Sequence, residues 1–506
     1  MASIISSLPV ATIAAGTFSY FLVSQLLSGK DSLRHVPGPP PSSYLWGEEW
    51  ELYYGSPGAP YIDWHRKYGK VVRFNGAMGH RVISITDPKA ISYILVKNAY
   101  AFPKAKGVRA WFDATIGRGI IWAEGRDAHE PQRQLLAPSL SPQRVRGLIP
   151  VLLETAHRLA AQWANVCDQA PTSETQIEVT NWANRLALDT IGLAAFGYDF
   201  DCLSGKPDAL ADALDGLTNN EHKVSSFYMR ALFWLFPPIL SIGEKGKMIR
   251  KTKHELGIIA SRMWRDAKVA ADREDKTVMA YILNADEENI DEEYIVSQMR
   301  AIISAGYEPV SAALAWILYE LGTHIDVQTA LREEVIELKD TTADGINKLK
   351  LLDAVIKETF RLHPPILENH HEAGEDVVIP LETPIAGTQE THLVVPAGTL
   401  LAIPLNVIHK DPGVWGLDAN EFNPQRWLNP EKAVSKEQRL MTFSEGPRGC
   451  IGRSFAMMEL KVTILTLLQQ FSFRCQCKME EFQSFVVRPR VVGETASSLP
   501  LLVARL

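Results

Sequence analysis

Cysteine is scarce in this chain: Cys167, Cys202, Cys450, Cys475 and Cys477 are the only five in 506 residues. Five is odd and too few for a disulfide framework, so the catalytic part is expected in a reducing compartment. An excess of positive charge is also lacking. Lys+Arg 52 against Asp+Glu 59 gives a net charge of −7, and no global positive field exists to hold nucleic-acid phosphates. There is no Asn-x-Ser/Thr acceptor, no internal repeat and no low-complexity tract beyond one proline cluster. With 46% hydrophobic and 22% charged residues, the composition excludes disorder and collagen and can bury a large core. Length alone suggests about three domains at ~150 residues each, although one large catalytic unit fits as well.

Charge is absent between Met1 and Lys30, where the run from Leu8 to Leu27 is long enough to cross a bilayer. It reads as a membrane anchor at residues 1–29, in preference to a cleaved signal peptide, because no positive residue precedes it and no Ala-x-Ala site follows. Thr12, Gly16, Thr17, Ser19 and Gln25 dilute it, which leaves peripheral association open. Lys30, Arg34 and His35 follow and would keep the rest cytosolic. Residues 30–41, with Pro37-Gly38-Pro39-Pro40-Pro41, read as a semi-rigid hinge, and 42–506 as the catalytic domain. Strands are expected at Lys70–Phe74 and His80–Ile85, and helix from about Ser141 to Leu362. Two stretches are ambiguous. Phe227–Leu240 is aromatic enough either to dip into a bilayer or to be plain core, whereas the acidic residues 286–288 and 291–293 read as a solvated helix start.

The most informative stretch runs from Phe443 to Ala456, a glycine-rich loop entering a periodic helix. Gly446, Gly449 and Gly452 allow close approach of a flat ligand, and Cys450 stands at a helix start beside Arg448. That setting predicts a lowered thiol pKa, as in reactive or metal-binding cysteines, against the alternative of an inert buried thiol. Cys475 and Cys477, two apart on an expected strand, read as packing. The pattern Phe443-x-x-Gly446-x-Arg448-x-Cys450-x-Gly452 resembles the haem-binding signature of the cytochrome P450 superfamily. The resemblance implies that Cys450 is the proximal iron ligand, with Phe443, Arg448 and Gly452 around the cofactor.

Further motifs follow the family's order. Glu358 and Arg361 share a helix face ahead of His363-Pro364-Pro365, 92 residues before Cys450. They resemble the Glu-x-x-Arg element, which Arg426 in Phe422–Trp427 would complete as a triad. Gly125–Arg133 resembles the Trp-x-x-x-Arg element with His129 in place of Trp, so Arg133 and His129 would bind haem propionates. His371 stands where many relatives carry another propionate-binding Arg. Ala305-Gly306-Tyr307-Glu308-Pro309 resembles the oxygen-binding helix motif. There Gly306 is expected to open the helix over the haem, and Glu308 to deliver protons. Pro309 replaces the usual threonine, removes a hydroxyl and an N–H, and is expected to kink the helix and free the Ala305 carbonyl for water. Ser311 lies about 200° away around the helix and substitutes poorly.

The resemblance implies a mainly α fold, a helical prism with small β-sheets behind a single N-terminal anchor helix in the endoplasmic reticulum membrane. It implies haem b and hydroxylation of a lipophilic small molecule, a terpenoid or other secondary metabolite, with O2. Electrons would come from NADPH through a partner flavoprotein, NADPH-cytochrome P450 reductase, with cytochrome b5 as a second donor. Only 56 residues follow Cys450, which leaves no room there for a flavin domain. Lys432, Lys436, Arg439, Arg448 and Lys461 are candidates for a basic docking face. Pocket walls are expected between Phe102 and Ile121, around Phe227, at Ala301 and Ala305, and at Ile366–Glu368. Two other functions remain open: a reductase-independent haem-thiolate isomerase or dehydratase, which Pro309 favours and Glu308 disfavours, and a noncatalytic haem sensor or carrier.

Overall fold

The computed structural model describes residues 32–170, 172–205, 224–270, 277–279, 291–428 and 440–506. The expected anchor at 1–29, the acidic residues 286–288, and Lys432, Lys436 and Arg439 lie outside them. The main helices are α1 (Lys106–Thr115), α2 (Arg126–Leu136), α3 (Ile149–Asp168), α4 (Val179–Phe196), α5 (Val224–Leu232), α6 (Gly243–Ala270), α7 (Glu292–Thr323), α8 (Lys350–Leu362) and α9 (Arg453–Leu468). Helices α3, α4, α7, α8 and α9 supply most of one large apolar core, while the apolar residues of α1 and α5 form smaller clusters beside it.

Helix α7 is apolar around most of its circumference, which in principle suits either a membrane span or the centre of a protein. Its most apolar window is 78% buried, so it is a core helix. Asp291 caps its N-terminus by accepting from the Glu293 amide, and Glu292 and Glu293 fill its first turn, where negative charge meets the positive end of the helix dipole. The helix runs unbroken through Pro309. Along its middle it packs on α4. A Cβ on Gly306 would come within 2.7 Å of the Ile191 Cδ1 atom, so the glycine faces α4 and permits close helix packing. This replaces the expectation that Gly306 opens the helix.

The strands are β1 (Val71–Asn75), β2 (Arg81–Ile85), β3 (Thr175–Glu178), β4 (Glu368–Glu372), β5 (Val377–Pro380), β6 (His392–Val395), β7 (Leu400–Pro404), β8 (Phe471–Cys475), β9 (Met479–Gln483), β10 (Val487–Val491) and β11 (Pro500–Arg505). They form a four-stranded sheet in the order β1-β2-β7-β4, a three-stranded sheet β3-β11-β8, and the pairs β5-β6 and β9-β10. Among the described residues, only β2 with β7 is parallel. Val71 opposite Ile85, with Ile83 of β2 and Leu401 and Ile403 of β7, seats one face of the large sheet on a second core. Cys475 closes β8 and Cys477 lies past its end, exposed, so the two do not share a strand face.

The proline cluster does not stand off the domain as a hinge. Leu33 and Val36 are buried, and the Pro37 carbonyl accepts from the Arg73 amide at 2.9 Å, so the segment adds to the edge of β1. The aromatic stretch from Phe227 resolves as core in its first half: Phe227 is buried among Trp46, Trp50, Tyr53 and Tyr54. Tyr228 and Phe236 remain on the surface.

A Cβ at Gly38 would lie 1.7 Å from the Arg73 carbonyl oxygen. Gly38→Ala is therefore expected to destabilise the domain by about 1–3 kcal/mol, read as a lower thermal-unfolding midpoint. Pro40→Ala, at an exposed neighbour, should change stability by under about 1 kcal/mol. Equal effects at the two positions would show that the segment is not docked.

Candidate active site

The loop before α9 is fixed by its backbone. Ser444 (φ 55°) and Gly446 (φ 72°) occupy the left-handed region, and a Cβ on Gly446 would lie 2.1 Å from the Leu95 carbonyl oxygen. Only glycine fits there. The Cys450 amide donates to the Phe443 carbonyl at 2.8 Å, while the Phe443 ring meets Phe360 of α8 edge-on at 5.2 Å and lies under Arg453. The amides of Gly452 and Arg453 point at the Cys450 sulfur.

Cys450 is reachable by solvent yet surrounded by protein, as a residue deep in a cleft would be. Burial pushes its thiol up, against the two amides and the charges of Arg133 and Arg453. The lowered pKa expected from the helix start is thus overturned, because loss of water outweighs the dipole. The cations acting on the sulfur are Arg133 and Arg453; Arg448 turns away from it.

Behind the loop, α8 and the short helix Gln425–Leu428 bring Glu358, Arg361 and Arg426 together. Arg361 is bidentate on Glu358, Nε to Oε2 at 2.9 Å and Nη2 to Oε1 at 2.8 Å. Arg426 Nε donates to Glu358 Oε1 at 2.8 Å, and Trp427 Nε1 and the Asn423 amide complete the carboxylate's shell at 2.8 and 3.0 Å. The remaining guanidinium donors reach the carbonyls of His409, Ala419 and Glu421 from Arg361, and of Trp415 and Asp418 from Arg426. Such satisfaction is what a buried ion cluster requires.

A second cluster lies on the α2 side. His129 is buried, with Nδ1 3.1 Å from the Tyr100 hydroxyl. Arg133 donates to the Gly449 carbonyl at 2.7 Å and so ties α2 to the cysteine loop. Arg448 pairs with Glu124 and lies over the Tyr100 ring at 5.2 Å. Apart from that pair, its buried guanidinium nitrogens have no hydrogen-bond partner. His371, on β4, contacts the Phe102 carbonyl through Nδ1 at 3.0 Å. Burial, with Arg448 and Lys104 nearby, pulls both His129 and His371 down to about 4. Both are neutral near pH 7. Sequence reasoning missed Lys104, Glu124 and Tyr100 because none carries a local pattern; folding alone assembles them.

A family model described as Cytochrome P450 matches residues 37–491. The chain is 33% identical to cytochrome P450 monooxygenase claU of Ampulloclitocybe clavipes, over 97% of this chain and 96% of that protein. It is 32% identical to claW of the same organism, over 96% of each. Cytochrome P450 monooxygenase 205 of Postia placenta is 30% identical, over 99% and 98%. The chain belongs to the cytochrome P450 family. It is a P450 monooxygenase, an oxidoreductase of the haem-carrying class that uses O2 and a redox partner.

The residues of this P450 fit a haem. A solvent-reachable sulfur stands on one element, unpaired guanidinium donors suited to propionate carboxylates on another, and Ala305, the exposed residue between Tyr294 and Gly322 of α7, on a third. Glu308 is buried, and its Oε1 is 3.9 Å from Arg488 Nη2 of β10. The Ser311 hydroxyl donates to the Glu308 carbonyl at 3.0 Å, so it is already engaged and cannot replace the missing threonine. Pro309 is half-buried, one turn beyond Ala305.

Several other expected placements change. Phe227 belongs to the aromatic cage described above and Ala301 is buried. Glu368 is engaged by Arg230 at 3.6 Å and by the Tyr61 hydroxyl. Unexpected aromatic neighbours occur at Trp111 and Phe112 of α1, which meet Phe485 in the β9–β10 turn at 6.3 and 6.2 Å. Arg448 and Lys461 cannot form a docking face: the first is buried against Glu124, and the second is buried and paired with Asp353 at 2.8 Å.

Glu358→Gln keeps the shape of the side chain but removes the charge shared by two buried guanidinium groups. It should cost about 3–5 kcal/mol, measured as a lower denaturant midpoint, with weakened haem retention. A variant as stable as the parent would mean that the two arginines are neutralised elsewhere.

Proposed function

We propose that this chain is a haem-thiolate monooxygenase in which Cys450 is the axial ligand of haem b, and that it hydroxylates a lipophilic small molecule. The observation that carries the reading is the reachable Cys450 sulfur with two amides aimed at it. Haem, when bound, supplies O2 activation, with the thiolate favouring O–O cleavage. Overall, RH + O2 + 2 e⁻ + 2 H⁺ gives ROH + H2O. The electrons come from NADPH through a separate flavoprotein, NADPH-cytochrome P450 reductase, with cytochrome b5 as a second donor. Residues 1–29 anchor the protein in the endoplasmic reticulum membrane with the domain facing the cytosol.

The chain's own residues then have distinct tasks. Arg448, Arg133 and the neutral His129 bind the cofactor's carboxylates from the α2 side. Phe443 and Gly452 shape the sulfur's loop, and the Glu358–Arg361–Arg426 cluster holds that loop from behind. On α7, the proline leaves the Ala305 carbonyl without its helical donor, so it accepts from water, and Glu308 exchanges protons with that water. Trp111, Phe112 and Phe485 offer aromatic surface to the substrate, which suits a terpenoid or other apolar secondary metabolite.

The reductase-independent reading rests on Pro309, since rearranging a peroxide needs no proton-relaying hydroxyl. Two measurements separate the readings. With reductase and NADPH, product should form in proportion to NADPH consumed, and Glu308→Gln should lower coupling about 10-fold or more, releasing peroxide instead. Full turnover and full coupling in that variant would exclude the relay, whereas product formed without NADPH would favour the alternative. Cys450→Ser should abolish the thiolate-type absorption of the reduced carbonyl complex; an unchanged spectrum would end the assignment of the ligand.

A further inference from the structure

One carboxylate is out of place on the α2 side. Glu124, between α1 and α2, has a side chain only 8% exposed, in a cluster read above as cationic so as to receive the haem carboxylates. Its Oε1 accepts from the Lys104 backbone amide at 3.0 Å and from Lys104 Nζ at 3.2 Å, and its Oε2 pairs with Arg448. Lys104 in turn bridges to His371 on β4. A single side chain thus ties together the segment that leads into α1, the α1–α2 connection and the cysteine loop. Burial would raise its pKa, but the Arg448 and Lys104 contacts outweigh it and hold the carboxyl below its usual range, so it is ionised.

The charges acting on His129 are those of Arg448, Lys104, Arg133 and Glu124. The two histidines themselves are neutral. Glu124 is the one anion among these four charges, so removing it leaves the surroundings of His129 more positive.

We propose that Glu124 is a cofactor-positioning residue: it pre-organises Lys104 and Arg448 for the haem carboxylates and, as a fixed negative charge in a buried cluster, lowers the reduction potential of the bound haem. This deepens the preceding reading and rests on it, because it takes Arg448 to face those carboxylates. The physical basis is Coulombic. One-electron reduction adds negative charge to the cofactor, and a nearby carboxylate opposes it with little screening in a buried site.

The test is a spectroelectrochemical titration of the haem-loaded full chain and three variants. Glu124→Gln should shift the midpoint potential positive, by about a tenfold change in the reduction equilibrium, ~59 mV for one electron. Glu124→Asp, which keeps the charge, should return it close to the parent value. Lys104→Gln, which removes a cation from the same cluster, should shift it negative. Opposite signs at 124 and 104 identify a charge effect, because mere loosening of the cluster would move both the same way. An unchanged or negative shift in Glu124→Gln, or shifts of one sign in both variants, overturns the proposal. If Glu124→Gln fails to retain haem, Lys104→Gln decides alone, a negative shift supporting the proposal and any other result overturning it. Arg448→Gln separates the two levels. Unaltered haem affinity there would refute the placement of the cofactor carboxylates and the proposal with it, whereas weakened affinity beside an unmoved potential in Glu124→Gln would refute the role of Glu124 alone.

Discussion

The site hangs on the carboxylate of Glu358. It is fully buried with Arg361 and nearly so with Arg426, and an unpaired charge at that depth would cost several kcal/mol. Both guanidinium groups must therefore converge on it. Satisfying their other donors commits the carbonyls of residues 409–421 to one conformation. His409 extends the constraint: burial holds it at about 3, so it is neutral, and its Nε2 accepts from the Met441 amide at 2.9 Å. Thr442 reaches back to the Phe360 carbonyl of α8 at 3.2 Å. A continuous chain of hydrogen bonds thus runs from Glu358 to the first residues of the cysteine loop. The position of the sulfur is set by a charge cluster that never touches it.

Desolvation governs the titrating groups near the sulfur in one direction: it disfavours whichever form is charged. The thiol of Cys450 is pushed up, and the imidazoles of His129 and His371 are pushed down. A helix start and two arginines are not enough to make a thiolate there. Coordination by a metal deprotonates a thiol outright, so under the proposed ligation of haem by Cys450 the negative charge on sulfur would follow from iron binding. The protein supplies two amide donors aimed at that sulfur. Guanidinium groups, which do not lose their proton in proteins, are then the dependable cations, while the histidines serve as neutral donors or acceptors.

Much of this was legible in the sequence, and the reasons differ by residue. Glu358 and Arg361 are three apart on a helix, so their pairing follows from local geometry, and the loop to Cys450 carries five constrained positions within ten residues. The strands at 71–75 and 81–85 were visible from short β-type runs bounded by turns. What escaped was what only tertiary packing creates. Lys104, Glu124 and His371 are separated by up to 267 residues yet meet through one backbone bridge and one carboxylate. Gly306 looked like an opening over a ligand because its neighbours in sequence are those of a ligand-facing helix, but its missing Cβ faces Ile191. Arg448 and Lys461 looked like surface charges because sequence cannot report the acidic partners that bury them.

Helix α7 shows why an irregular residue is tolerated where it stands. A proline inside a helix removes one N–H and displaces the carbonyl four residues earlier, here that of Ala305. In a dry interior such a carbonyl would cost about 1–3 kcal/mol, and most of α7 is dry. Ala305, however, is the exposed position in the run from Ile303 to Val310, so water can replace the lost donor. At the buried neighbours on either side, Ile303, Tyr307 or Val310, no water would be at hand. The solvent exposure of Ala305 therefore relieves the backbone defect, which ties Pro309 to a helix face where its cost is small.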